Sequence, residues 1–84
     1  MQEFNENDLI DSPLSQNYEQ AGKSVEILIY RLPGTRWTAE VVDQYGNSTV
    51  WNDEFETDVK ALECVLHDLR EEGIDEFIGK PSAS

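Results

Sequence analysis

Val25-Glu26-Ile27-Leu28-Ile29-Tyr30-Arg31-Leu32-Pro33-Gly34 decides the fold of this chain. The run is rich in β-branched and aromatic side chains, which fit a pleated, half-buried strand. It stops at a proline–glycine pair suited to the centre of a type II turn, where proline presets φ and glycine takes φ > 0. Reading outward, Trp37 to Asp43 forms a second strand, Tyr45-Gly46-Asn47 turns the chain again, and Ser48 to Asn52 or Asp53 forms a third. The expectation is a three-stranded antiparallel meander.

Register follows from the apolar pattern. Setting Val41 opposite Trp51, Ala39 opposite Asp53 and Trp37 opposite Phe55 gathers Trp37, Val41, Trp51 and Phe55 on one face. Val42 and Val50 then lie on the other. A slip of one residue would put Glu40 against Trp51 and divide the aromatic group, so parity argues for the first arrangement.

After the sheet, the spacing predicts an amphipathic helix over Asp58 to Glu72. Thr57 suits the N-cap, and Asp58 complements the positive end of the helix dipole. Val59, Leu62, Val65, Leu66 and Leu69 share one arc with Ala61 at its edge, whereas Lys60, Glu63, Cys64, His67, Asp68 and Glu71 lie largely opposite. Gly73 fits a left-handed helix end, with Ile74 packing back on Leu69. Ile74, Phe77 and Ile78 continue at i, i+3 and i+4, a further turn against the sheet edge.

Before the sheet the pattern weakens. Residues 1–24 read as a flexible acidic segment, within which Ser12-Pro13 suits the start of a short helix over 13–21. Leu14, Tyr18 and Ala21 would form its stripe and Gly22 its end. Residues 25–79 then constitute one small α+β domain, and 80–84 a tail. With the short helix the order is α-β-β-β-α. One helix covers only one sheet face, while Leu28, Tyr30 and Leu32 alternate with Val25, Ile27 and Ile29. The second face calls for residues 1–24, a second copy of the chain, or another partner.

Composition narrows the function classes. The 84 residues hold 18 acidic and 6 basic side chains, a net charge of −12 spread along the whole chain. Such a surface repels phosphate backbones and anionic lipid and attracts basic partners. A single cysteine allows no internal disulfide. No apolar run approaches the roughly 20 residues that cross a bilayer, and the N-terminus lacks the basic and apolar regions of a signal peptide. A cytoplasmic protein is expected.

Each candidate site has a simpler role beside it. Cys64 and His67, at i, i+3, are one thiol and one imidazole, short of the four ligands of a structural zinc site and without an enclosed cleft for catalysis. Coincidence on a polar helix side is the better reading. Asp53, Glu54, Glu56 and Asp58 form a dense acidic run, but Phe55 and Thr57 break the alternate spacing of a calcium loop and no glycine follows. They read as a solvated strand-to-helix loop and as the candidate docking residues for a basic partner. Trp37, Trp51 and Tyr30 lack the positive groove of a single-strand nucleic-acid platform, so core packing is expected of them.

Two resemblances follow from these residues. The α-β-β-β-α order resembles that of double-stranded RNA-binding domains, which carry a basic cluster at the start of the last helix. The matching positions here are Asp58, Val59, Lys60 and Ala61, so the resemblance implies fold order and not RNA binding. Glu56-Thr57-Asp58-Val59-Lys60-Ala61-Leu62-Glu63 is similar to the sheet-to-helix junction of HicB-type antitoxins, across the stretch 25–73. The DNA-binding tail of many such antitoxins has no counterpart, and the likeness implies a fold alone.

The expectation for function is a small acidic protein–protein interaction module. It would bind a basic, nucleic-acid-binding protein by charge mimicry, with no direct nucleic acid or membrane contact, no cofactor and no metal. A homodimer through the uncovered sheet face is a further expectation. The alternatives are an accessory subunit whose charge serves solubility and, third, a Cys/His enzyme or metal binder.

Overall fold

The computed structural model describes residues 9–79. The expected tail 80–84 and residues 1–8 of the expected flexible segment lie outside the described residues. The fold is α+β. Five antiparallel strands, β1 (Ile10–Asp11), β2 (Gln16–Gln20), β3 (Lys23–Arg31), β4 (Thr38–Asp43) and β5 (Ser48–Val50), form one sheet. The helix α1 (Asp58–Glu72) and a 3-10 turn, Ile74–Phe77, follow. β3 is central: β4 and then β5 lie on one side of it, and both β1 and β2 pair with its other edge.

The expected meander is therefore the β3–β4–β5 part of a larger sheet, and the expected helix over 13–21 is replaced by a strand. Tyr18 pairs with Val25 and Gln20 with Lys23, which leaves Ala21-Gly22 as a two-residue hairpin connection. Both take positive φ, 54° and 79°, the hand that matches the twist of paired strands. The helical spacing of Leu14, Tyr18 and Ala21 was outweighed by the open edge of β3, whose backbone groups need partners. β1 and β2 are two halves of that cover. Between them Pro13 has no N–H to give, and two serines fill the gap. The Ser12 N–H donates to the Ile29 carbonyl at 2.8 Å, and the Ile29 N–H donates to Ser15 Oγ at 2.9 Å.

The turn at Pro33-Gly34 forms as expected. The Thr35 N–H closes it on the Leu32 carbonyl at 3.0 Å with Gly34 at φ 80°. The second hairpin differs in register. Val41 pairs with Thr49 and Glu40 with Val50, two residues from the expected partners, while Trp37 meets Phe55 as expected. Extra residues between Trp51 and Phe55 absorb the difference. A shift of two preserves parity, so Trp37, Val41, Trp51 and Phe55 still belong to the helix side.

On that side Val25, Ile27, Ile29, Ala39 and Val41 are buried against Ala61, Val65 and Leu69 of α1 and against Ile74 and Phe77. Ala61, Val65 and Leu69 stand at i, i+4 and i+8 and make the contact line. Val59, expected in the buried arc, is 51% exposed, because it sits about 200° round the axis from Ala61. Thr57 caps α1 as expected, its Oγ1 accepting the Lys60 N–H at 3.1 Å. At the other end Gly73 has φ 88° and ψ 149°. This is extended backbone at positive φ, open essentially to glycine alone, and not the expected left-handed helical conformation. It turns the chain so that Ile74 and Phe77 fall under the sheet. Among the described residues no helix is long and apolar enough to cross a membrane.

Candidate protein-binding surface

The acidic run after β5 is held at its middle. Trp37 and Phe55 exchange two backbone hydrogen bonds, each 2.9 Å, which fixes the segment while Asp53, Glu54 and Glu56 stay at the surface. The candidate residues then divide. Asp53 and Glu54 are exposed. Glu56 lies 3.7 Å from Lys60, one turn on. Asp58 is half-buried and accepts the Ser12 hydroxyl at 2.7 Å, so it ties the N-terminal strands to the helix start.

The three aromatic residues are not brought together. Trp37 lies beneath the Arg31 guanidinium at 5.1 Å. Trp51 stacks on Phe77 with centroids 5.5 Å apart and planes within 10°, and its indole N–H donates to Asp68 at 2.8 Å. Both tryptophans pack against the core. Tyr30 is on the opposite sheet face, donating its hydroxyl to Glu40 at 2.9 Å. Burial, that hydrogen bond and the Glu40 charge push its phenol up to about 12.

Cys64 directs its S–H to Asp68, Sγ to Oδ2 3.9 Å. Burial, and then the charges of Asp68 and Asp53, raise its pKa above the ordinary thiol value, the opposite of what activates a cysteine nucleophile. His67 is exposed. Among the described residues no group of three His, Cys, Asp or Glu side chains is placed to hold a metal ion.

Asp43 has a larger structural role than its place at a strand end suggested. It is buried, and burial alone would raise its pKa. Hydrogen bonds from the Gly79 N–H, the Asn47 side chain and the Asn47 and Tyr45 N–H groups oppose burial and hold the carboxyl below its ordinary value. Oδ1 accepts from Tyr45 and Asn47, each at 2.8 Å, and Oδ2 from Asn47 Nδ2 at 3.1 Å and Gly79 N–H at 2.6 Å. One carboxylate therefore joins the β4–β5 turn to the chain beyond the 3-10 turn. The sequence signal was an aspartate directly before a Gly/Asn turn, a usual side-chain-to-backbone acceptor.

The sheet face away from α1 is the one for which the sequence pattern calls for a cover. Among the described residues the N-terminal strands extend the sheet at its edge and do not lie across this face. Register gives its pattern: Glu26 pairs with Val42, Leu28 with Glu40, Glu40 with Val50 and Asp11 with Tyr30. Leu28, Tyr30 and Val42 are half-buried, Val50 is 49% exposed, and Glu26 and Asp11 are exposed. Across the strands each of Leu28, Tyr30, Val42 and Val50 has a carboxylate beside it, whereas along β3 Leu28 and Tyr30 are consecutive on this face.

Compared with protein-family models, curated proteins and solved structures, the chain matches none.

Proposed function

We propose that this chain is a small acidic protein–protein interaction module, without catalytic chemistry of its own, that binds a basic protein in the cytoplasm. The observation that carries this reading is the placement of charge. Of the five cations among the described residues, Lys23 and Lys60 are paired with Asp75 and Glu56, Arg31 lies over Trp37, and Arg36 and Arg70 are exposed. Meanwhile Asp53, Glu54 and Glu63 are exposed along the loop and the helix, with Glu19 and Glu26 on the far sheet face. Such a field attracts cationic surfaces over distances of a Debye length, about 10 Å at 0.1 M salt. A basic protein whose natural ligand is a nucleic acid is the fitting partner class, with carboxylates standing where phosphates would.

The test is a tagged pull-down from the source lysate at low and high salt, with retained proteins identified by mass spectrometry and then purified for titration. A basic protein held at low salt and lost at high salt is expected. A partner retained equally at both would replace this reading with that of an accessory subunit whose charge serves solubility.

A further inference from the structure

Every cross-strand row of the sheet face opposite α1 carries a carboxylate. Along β3 the rows run Glu19 beside Ser24, then Glu26 between Asn17 and Val42, then Leu28 beside Glu40 and Val50, then Tyr30 between Asp11 and Thr38. No strand position on this face is Lys or Arg. Successive rows lie two residues apart, about 6.7 Å. Glu19, Glu26 and Glu40 therefore step diagonally across β2, β3 and β4, with Asp11 of β1 at the far end on the opposite side of β3. This carboxylate ladder spans about 20 Å along the strands, among the half-buried Leu28, Tyr30 and Val42. The Tyr30 hydroxyl fixes one of its carboxylates, Glu40, in place. At one end Asn17, Glu19, Ser24, Glu26 and Val42 border a depression of about 200 Å³, large enough for a cationic side chain.

We propose that this face docks an extended basic segment of a protein partner with Lys or Arg at every second residue, one cation to each carboxylate row. The aliphatic stems of those cations lie over Leu28, Tyr30 and Val42. The inference rests on the basic-partner reading above and names its surface. An extended chain repeats its side chains on one face every two residues, the same spacing as the rows.

Charge and area argue against other occupants. A second copy would set carboxylates against carboxylates with no cation between them. Residues 1–8 carry Glu3, Glu6 and Asp8 and no Lys or Arg, so they are no better matched. The face measures on the order of 400 Å² from strand and row spacing, about half of the roughly 800 Å² that each partner of a stable interface contributes. That suits a segment and not a second folded copy.

The probe is a short end-blocked peptide in which Lys and Leu alternate, titrated into the full chain and followed by amide chemical shifts. Shifts are expected at Glu26, Leu28, Tyr30, Glu40 and Val42, with weaker binding of a peptide of the same composition whose lysines and leucines are segregated. The double variant Glu26→Gln/Glu40→Gln should weaken binding about five- to tenfold. Glu71→Gln/Glu72→Gln, which removes the same charge from the helix, should change it about twofold or less. Equal weakening by both pairs would overturn the docking face and leave the basic-partner reading standing. Failure of every Lys-rich peptide to bind, together with a salt-insensitive pull-down, would overturn both. A dimer in sedimentation equilibrium that Val42→Lys dissolves would give the face to a second copy.

Discussion

At the scale of single residues, Asp43 makes the sharpest prediction. Its carboxylate accepts from N–H groups of the β4–β5 turn and from Gly79, so only the ionised form satisfies every donor. Its folded pKa lies below its unfolded one. The stability it contributes is therefore full above the unfolded value of about 3.9 and is lost as pH falls through the lower folded value. Asp43→Asn keeps the shape but turns an NH₂ toward donors, and should lower the urea midpoint at pH 7. The gap between the parent chain and the variant should then close below about pH 4. Reading the difference removes the effect of the other carboxylates, which both chains share. A gap that persists at low pH would mean that the ionised form is not what the turn requires.

At the scale of elements, the orientation of α1 can be tested by two truncations. Leu69 is wholly buried and Val59 is half in solvent. Leu69→Ala should cost about 2–5 kcal/mol, and Val59→Ala no more than about 0.5 kcal/mol, both measured by urea unfolding. Similar costs would mean that the helix is rolled toward Val59. The reason for this arrangement shows what the sequence can and cannot convey. The limits of α1 were legible because Thr57 and Gly73 mark both ends, but the hydrophobic arc was wide enough to leave its roll open. β3 was legible because Val25, Ile27 and Ile29 are buried. β2 was not, since its inward positions are Gln16, Tyr18 and Gln20 and it is held by backbone pairing, which leaves no apolar alternation to read. For the same reason the dense acids Asp53, Glu54 and Glu56 stood out at once, whereas the ladder of Glu19, Glu26 and Glu40 became visible only when pairing brought separate strands side by side.

At the scale of the whole molecule, the net charge of −12 on 84 residues sets repulsion against a modest core, and screening should show which dominates. The attractive side is small. Lys23–Asp75 and Lys60–Glu56 both lie at the surface, where such pairs contribute about 0–1 kcal/mol each. The repulsive side is distributed over loop, helix and sheet face, and compaction on folding brings those carboxylates closer than the unfolded chain holds them. Added NaCl shortens the reach of both, from about 30 Å at 0.01 M to about 10 Å at 0.1 M, but it removes more repulsion than attraction. The Tm at pH 7 should therefore rise with NaCl over this range. Replacing exposed acids away from the sheet ladder, Glu71→Gln with Glu72→Gln, should raise the low-salt Tm and flatten its salt dependence. A Tm that falls with salt would mean that the two ion pairs and the Arg31–Trp37 contact outweigh the excess of carboxylates. The same balance links stability to binding: a basic segment on the ladder screens the carboxylates locally, so its presence should raise the Tm most at low salt, where the repulsion it relieves is largest.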